Sequence, residues 1–273
     1  MSRIGPVHHG TWLLIGSVLL GACSTPGSLV QGTPARYAQD SATSSCVRNP
    51  ACYTAPQGEE AIIPWLSRSV EVVRATTVAM QLLEDAQVQL IEQTLAECAE
   101  HANFVVNERR LGGRSPTREQ CREVVGKDRK GHDVTRAMQL GKEKHQEALT
   151  CVQRALGERF AENLQLEPHY QKDAKGRWQL LDPKQVAQWL REGLFGNLLT
   201  ALVPDVVLHA KGNPLKVQAV YDFKFPCPAS NEPTWRDYPE DHPYYPNNQG
   251  EMYQQALGVE HPTFVTPQLG VLR

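Results

Sequence analysis

The sequence of 273 residues lacks several patterns that would assign a function class at once. Its formal net charge is only −2, so composition alone gives no general attraction to nucleic acid. No two cysteines have the Cys-x-x-Cys spacing of a zinc site, and no Gly-rich loop has the spacing of a phosphate-binding motif. No internal repeat is visible, and the apolar run from Trp12 to Leu20 is too short to span a bilayer as a permanent helix.

The N-terminal residues have the pattern of an export signal. Arg3 precedes the apolar run, and the small residues Gly21 and Ala22 stand directly before Cys23. This pattern resembles the lipobox of bacterial lipoproteins, which implies that residues 1–22 are removed and that Cys23 is lipidated. Ser24 is not the Asp that retains many lipoproteins at the inner membrane, so the outer membrane is the expected location. An ordinary secreted protein is the alternative.

The remaining cysteines agree with an exported chain. Without Cys23 there are six, an even number that permits up to three disulfides. These are Cys46, Cys52, Cys98, Cys121, Cys151 and Cys227. Cys46 and Cys52 are near neighbours and are predicted to pair, whereas the connectivity of the other four stays open.

Composition divides the mature chain into three parts. Residues 23–60 are rich in Ser, Thr, Gly, Pro and Ala, which predicts a flexible tether that includes Cys46 and Cys52. Residues 61–165 carry apolar positions at helical spacing, from about 62 to 106 and from about 134 to 164, which predicts two long antiparallel helices. This helical region is either a delivery or recognition module or a layer that packs on a sheet.

Basic residues cluster in the link between the two predicted helices. Five arginines lie there: Arg109, Arg110, Arg114, Arg118 and Arg122. They either contact phosphates or a partner or, as charge runs usually do, face water.

The third part, residues 166–273, contains the pattern on which the functional prediction depends. Two Val-rich runs, separated by a break with Gly and Pro, predict a β-hairpin from Pro204 to Lys224. Antiparallel pairing would bring Asp205, Asp222 and Lys224 to one end of this hairpin, with Asp222 and Lys224 on the same face. Two carboxylates can hold Mg²⁺ while leaving positions for water, and a nearby lysine can act on that water or stabilise developing negative charge.

Pro204-Asp205 followed by Asp222-Phe223-Lys224 resembles the PD-(D/E)XK nuclease superfamily, which has the restriction-endonuclease fold. The resemblance implies an α+β chain in which a helical N-terminal region precedes an α/β/α core with a mixed sheet. It also implies that Asp205, Asp222 and the backbone carbonyl of Phe223 bind Mg²⁺ or Mn²⁺, and that Lys224 acts on the attacking water.

Two further features belong to this resemblance. Gln249 and Tyr253, at the start of a helix predicted from about 248 to 257, are similar to the Gln-x-x-x-Tyr element of the RecB-like branch and would position the phosphate or the lysine. The superfamily commonly has an acidic residue in a helix before the metal-binding strands. In the helix predicted from Pro183 to about 201, Glu192 is the candidate, and Glu158 and Glu162 are the alternatives.

Three histidines and a group of aromatic residues have other interpretations. His145, His169 and His209 are interpreted as structural or surface residues, because no acids lie near them at metal-ligand spacing. Aromatic residues between Trp235 and Tyr245 either stack on exposed bases or cover the sheet.

The C-terminal part resembles restriction-endonuclease-fold toxins of bacterial polymorphic toxin systems, and the whole architecture resembles myxobacterial swarm-inhibition lipoprotein toxins. This implies a lipid-anchored protein that passes between cells by outer-membrane exchange and cuts DNA or RNA in the recipient cytoplasm. A cognate immunity protein would protect sibling cells. The alternative is a non-catalytic envelope lipoprotein that uses the same fold for binding, and a third reading is a metal hydrolase of another phosphoester or of glycan.

Overall fold

The computed structural model describes residues 81–128 and 131–273. The predicted signal peptide, the lipidation site Cys23, the tether with Cys46 and Cys52, and the predicted helical residues before 81 lie outside the described residues. Within the described ranges, no helix combines the length and the apolar character needed to cross a membrane.

The first helix of the described chain is long and has defined ends. Helix α1 spans Asp85–Leu111 and begins with a capping box between Glu84 and Gln87. It ends at Gly112, whose φ of 60° is the left-handed conformation that a residue without Cβ adopts at low cost. The second half of the first predicted helix is therefore present, and it continues five residues beyond the expected end at 106.

The arginine-rich link contains regular structure. It forms α2 (Arg118–Arg122) and a small hairpin of β1 (Val124–Lys127) and β2 (Asp133–Thr135). Thr135 then caps helix α3 (Arg136–Leu156), because its hydroxyl accepts a hydrogen bond of 3.3 Å from the N–H of Met138. Helix α3 is shorter than predicted, since the residues after Leu156 form turns that lead the chain into the sheet.

Several short elements between α3 and the predicted hairpin were not expected from the sequence. Strand β3 (Leu164–Leu166) is followed by a separate two-stranded sheet of β4 (Tyr170–Lys172) and β5 (Trp178–Leu180). Helix α4 (Pro183–Glu192) follows, and a 3-10 helix (Phe195–Leu198) continues the segment. The prediction that α4 extends to about residue 201 is wrong, because Gly193 ends the helix in the left-handed conformation with a φ of 74°.

The central sheet contains the predicted hairpin. Strands β6 (Val206–Ala210) and β7 (Asn213–Phe223) are antiparallel, and α5 (Gln249–Leu257) connects β7 to the parallel strand β8 (Thr263–Thr266). With β9 (Gly270–Leu272) at its edge, the five-stranded sheet has the order β3-β6-β7-β8-β9. All its other neighbouring strands are antiparallel, so the sheet is mixed, as expected.

Helices cover both faces of this sheet. On one face, buried residues of α1 and α3, among them Ile91 and Leu149, share a core with Val206 of β6. On the other face, Met252 of α5 shares a core with Val207. Successive residues of a strand point to opposite faces, which explains why Val206 and Val207 belong to different cores. The chain is therefore mixed α/β, compatible with the expected α+β class, and α1 and α3 form a layer on the sheet.

Two disulfides connect these elements. Cys98 pairs with Cys151 and joins α1 to α3. Cys121 pairs with Cys227 and joins α2 to the segment that follows β7. Cys227 lies three positions after Lys224 in the chain, so the second disulfide attaches the arginine-rich link close to the end of β7.

Candidate active site

The ends of β6 and β7 bring Asp205 and Asp222 together. The register pairs Val206 with Tyr221, so that Asp205, one residue before β6, stands beside the last residues of β7. The peptide N–H of Phe223 donates a hydrogen bond of 2.6 Å to Oδ2 of Asp205. Both aspartates are completely buried, with 0% of their surface exposed.

Lys224 completes the group at the end of β7. It follows the strand by one residue, and its N–H donates to the carbonyl of Val265 at 2.9 Å. Its ammonium group contacts Oδ2 of Asp222 and donates a hydrogen bond of 2.9 Å to Oε1 of Gln249. The two acids and the lysine predicted from the sequence therefore form one contiguous cluster.

Helix α5 adds Gln249 and Tyr253, which lie one helical turn apart and face the same way. The amide Nε2 of Gln249 donates to the Tyr253 hydroxyl at 3.0 Å and to Oδ1 of Asp222 at 3.5 Å. The hydroxyl of Tyr253 donates to the same Asp222 oxygen at 3.4 Å. Gln249 thus bridges Lys224 and Asp222, which supports the expectation that it positions the lysine.

The N-terminal cap of α5 fixes the direction of these side chains. Asn248 accepts a hydrogen bond of 2.9 Å from the N–H of Glu251, and Glu251 returns one of 2.8 Å to the N–H of Asn248. The N–H of Gln249 donates to the carbonyl of Arg236 at 2.8 Å. The first turn of α5 is therefore anchored at both its own cap and the preceding loop.

Two residues that the sequence did not place in the site also lie within it. His145 of α3 is buried, with Nδ1 at 3.3 Å from Oδ2 of Asp205 and Nε2 at 3.2 Å from Oε1 of Glu167. Glu167 lies between β3 and β4, is also buried, and has a left-handed φ of 46° that non-glycine residues rarely adopt. His145, interpreted from the sequence as a structural or surface residue, is thus buried between two acids that come from distant positions in the chain.

One sequence signal could have singled out His145. It lies on the buried stripe of the amphipathic helix α3, between Gly141 and Leu149 at four-residue steps. A histidine at such a position needs polar partners inside the fold. The other two histidines are buried as well: His169 donates from Nδ1 to the carbonyl of Glu167 at 2.9 Å, and His209 lies on the central strand β6.

The carboxylates and the basic groups shift each other's protonation. Burial raises the pKa of the Asp205 carboxyl well above its ordinary value, and the nearby Asp222 carboxylate raises it further. Burial alone would lower the pKa of His145, but the carboxylates of Asp205 and Glu167 outweigh this effect and raise it to about 9. The imidazole is therefore a cation at neutral pH, held between two acids.

The donor set fits a small divalent cation. Oδ1 of Asp205 and Oε2 of Glu167 are buried and have no hydrogen-bond partner among the described residues. Buried carboxylate oxygens without partners are costly, and hard oxygen donors are what Mg²⁺ prefers. Three acids, Asp205, Asp222 and Glu167, face the two cations Lys224 and His145, which leaves room for added positive charge.

A metal ion bound at this cluster would take only part of its coordination shell from the protein. In the described chain, no three or more His, Cys, Asp or Glu side chains are arranged as a group that could hold a metal ion. Two carboxylates and the carbonyl of Phe223 would leave several positions for water or phosphate oxygen, as Mg²⁺ sites commonly do.

The acidic residue expected on the preceding helix does not reach the cluster. Glu192 is exposed at the end of α4, where it accepts a hydrogen bond of 2.9 Å from Gln188. Glu162 is exposed and pairs with Lys211 at 2.7 Å, and Glu158 is also exposed. Glu167, which follows strand β3 and not a helix, is the acid that lies near Asp205.

Part of the arginine-rich link is neutralised by α3. Arg110 makes a two-point contact with Glu143, at 2.7 and 2.8 Å, and Arg109 lies 3.5 Å from Glu147. Among the loop aromatics, Trp235 and Tyr238 pack against other rings, whereas half of the Tyr245 surface (51%) is exposed. Most of the aromatic residues in this loop therefore cover the sheet. Among them, Tyr245 is the one best placed to contact another molecule.

Comparison of the chain with protein-family models, with curated proteins and with solved structures found no match.

Proposed function

We propose that this chain is a metal-dependent nuclease with a restriction-endonuclease-like core. The observation that carries the proposal is the convergence of Asp205, Asp222, Lys224, Gln249 and Tyr253 at one end of the β6–β7 hairpin. These five residues come from two short motifs that together span 48 positions of sequence, from Asp205 to Tyr253, and they meet in one buried cluster. The helical layers on both faces of a mixed sheet also agree with the α/β/α core that the resemblance implies.

Each residue has a role that follows from its contacts. Asp205, Asp222 and the carbonyl of Phe223 would hold Mg²⁺ or Mn²⁺. The ion, when bound, would supply a Lewis acid for a phosphodiester and would acidify a coordinated water. Lys224 carries a positive charge beside Asp222, where it can orient the attacking water and stabilise charge on the phosphate. Gln249 restricts Lys224 to this position, and Tyr253 does the same for Asp222.

His145 and Glu167 support the first acid. The imidazolium contacts Oδ2 of Asp205, the oxygen that also accepts the N–H of Phe223. This arrangement fixes the carboxylate and directs Oδ1, which has no hydrogen-bond partner in the described chain, to other ligands. We assign His145 as the residue that orients Asp205, with Glu167 as its counter-ion.

The proposed biological setting rests on the N-terminal sequence and on the family resemblance. We propose a lipoprotein anchored through Cys23 at the outer membrane, which reaches the cytoplasm of recipient bacteria, cuts DNA or RNA there and is neutralised by a cognate immunity protein. The two disulfides are compatible with a protein that folds in an oxidising envelope.

The test is cleavage of plasmid DNA and of total RNA by the purified mature chain from Cys23 to Arg273, with Mg²⁺ or with EDTA. We expect cleavage that requires the metal and is lost in Lys224→Ala. The matched control is Lys216→Ala, which removes an exposed lysine from the same strand β7 and should leave cleavage unchanged. If the folded wild-type chain cuts neither nucleic acid, the non-catalytic binding function becomes the better explanation.

A further inference from the structure

Two aromatic rings lie near the ammonium group of Lys224, in addition to its polar partners. Its Nζ lies 5.1 Å from the ring centroid of Trp235 and 5.8 Å from that of Phe264. Asp222 and Gln249 contact the same nitrogen. As a result, only 7% of the Lys224 surface is exposed.

Trp235 itself is held by close packing. Its ring lies 4.3 Å from the ring of Phe264 and meets the ring of Tyr253 edge-on at 5.8 Å. It also rests on the Cα of Gly250, since a Cβ at that position would lie only 2.7 to 2.8 Å from three ring atoms. A glycine in the first turn of α5 is therefore required for the indole to take this place.

The backbone around Trp235 is joined to the same helix. The carbonyl of Arg236 accepts the N–H of Gln249, and Asp237 forms a β-bridge with Asn248. The loop that carries the indole is thus fastened to the first residues of α5, the helix that supplies Gln249. Displacement of the Trp235 loop would therefore disturb the first turn of α5 as well.

We propose that Trp235 is a positioning residue for Lys224. The indole face attracts the ammonium group and keeps water from it, so that the ammonium stays against Asp222 and Gln249. Gly250 makes this possible by leaving space for the ring. This inference rests on the proposed nuclease function for its kinetic consequence, but the contact between Trp235 and Lys224 can be tested without activity.

The kinetic test compares Trp235→Leu with Trp235→Phe. Because the indole acts on Lys224 and not on substrate, Trp235→Leu should lower kcat roughly tenfold, as expected for the loss of a partly desolvated cation–π contact, with KM nearly unchanged. Trp235→Phe keeps an aromatic face and should restore kcat to within about threefold of wild type.

A matched control is present in the same chain. Trp178 lies 5.1 Å from Nζ of the exposed Lys172, a pair with the same separation on the separate two-stranded sheet. Trp178→Leu therefore removes the same kind of contact from a lysine outside the cluster, while also removing an indole from the core that contains Tyr253, and should leave kcat unchanged. An equal fall of kcat in Trp178→Leu and Trp235→Leu would overturn the assignment, because general packing would then explain both.

Gly250→Ala tests the same contact with the indole still present. The added methyl group must displace the Trp235 ring, so kcat should fall about as far as in Trp235→Leu, although alanine favours the helix. Gly196→Ala is the control, since its Cβ would meet no atom within 4 Å. Wild-type kcat in Gly250→Ala would contradict the proposal.

A measurement without substrate separates this inference from the proposed function. Acetic anhydride labelling of the metal-free chain, followed by peptide mass analysis, gives the rate at which Lys224 is modified relative to the exposed Lys216. We expect Trp235→Leu to raise this relative rate roughly tenfold and Trp178→Leu to leave it unchanged. If the wild-type chain does not cleave nucleic acid but the labelling rates change as expected, the nuclease proposal fails and the positioning contact stands. Unchanged labelling in Trp235→Leu overturns the contact.

Discussion

The peptide N–H of Phe223 donates a hydrogen bond of 2.6 Å to Oδ2 of Asp205, across 18 positions of sequence. One oxygen of this carboxylate therefore fastens the end of β7 to the start of β6. The other oxygen, Oδ1, is buried without a hydrogen-bond partner among the described residues. Under the proposed function Asp205 combines this structural contact with a metal-ligand position, and substitutions can separate the two.

Asp205→Asn should remove activity and spare the fold. The amide keeps an acceptor for the N–H of Phe223, removes the repulsion between Asp205 and Asp222, and leaves His145 its second acid, Glu167. The free energy of unfolding at pH 7 should therefore fall by no more than about 1 kcal/mol. Cleavage should fall at least about a hundredfold, since the carboxylate proposed to bind the metal ion is lost. Urea unfolding and a cleavage assay on the same preparation measure the two effects.

Asp205→Ala is the companion variant. It leaves the N–H of Phe223 without its acceptor and should cost about 1–3 kcal/mol more than Asp205→Asn. Equal stability of the two variants would contradict the structural role of Oδ2.

His145→Ala should be strongly destabilising. It leaves Asp205 and Glu167 buried without their shared cation, a change that costs on the order of 3 kcal/mol when one partner of a buried ion pair is removed. Adding Glu167→Gln should recover part of the loss, because one of the two orphaned charges is then absent. Urea unfolding of the single and double variants measures this coupling.

The control for this cycle is His101→Ala, which alters an exposed histidine of α1 and should change the free energy of unfolding by less than about 0.5 kcal/mol. If the stability change of the double variant equals the sum of the changes in His145→Ala and Glu167→Gln alone, the two residues are not coupled.

The alkaline pH dependence of stability should report on Lys144. Burial lowers the pKa of this lysine from 10.5 to about 8, and its ammonium donates to Oδ1 of Asn103 at 2.7 Å. Between about pH 8 and 10.5 the unfolded chain binds more protons than the folded chain, so stability should rise with pH through this window. Below about pH 8, Lys144 is protonated in both the folded and the unfolded chain, so burial of its charge lowers the free energy of unfolding by a constant amount.

Lys144→Met should remove this slope and raise the free energy of unfolding at pH 7 by about 1–3 kcal/mol. Urea unfolding at several pH values from 7 to 10 makes the comparison, with the exposed Lys216→Met as control. A slope that survives in Lys144→Met would show that another group causes it.

The two disulfides should differ in their effect on activity. Each closes a long loop, of 53 residues for Cys98–Cys151 and 106 for Cys121–Cys227, and removal of either should cost about 2–5 kcal/mol. Cys227 is three positions from Lys224, so the Cys121→Ser/Cys227→Ser variant should also lose cleavage beyond its unfolded fraction. Cys98→Ser/Cys151→Ser should lose stability alone. Equal specific activity of the two variants would exclude a link between the second disulfide and the site.

The local part of the site could be predicted from the sequence. Asp205 and Asp222 lie on two strands joined by a short turn, so pairing of the hairpin determines their proximity. Gln249 and Tyr253 are four residues apart on one helix, so their common direction follows from the helical repeat.

The non-local part could not be predicted in this way. His145 and Glu167 meet Asp205 only because α3 packs on the sheet and β3 pairs with β6, and no spacing in the chain encodes those contacts. The place of Glu192 was inferred from an assumed helix and not from packing, and α4 in fact directs it to the surface. Trp235 and Gly250 are likewise joined by tertiary contact alone.

The cluster draws on α3, the segments before β4 and β6, the end of β7 and the start of α5. No stretch of a few dozen residues contains enough of these groups to act by itself. Under the proposed function, a chain that crosses a membrane unfolded would therefore carry no assembled catalytic centre. Its producer would be exposed to the activity only after folding was complete.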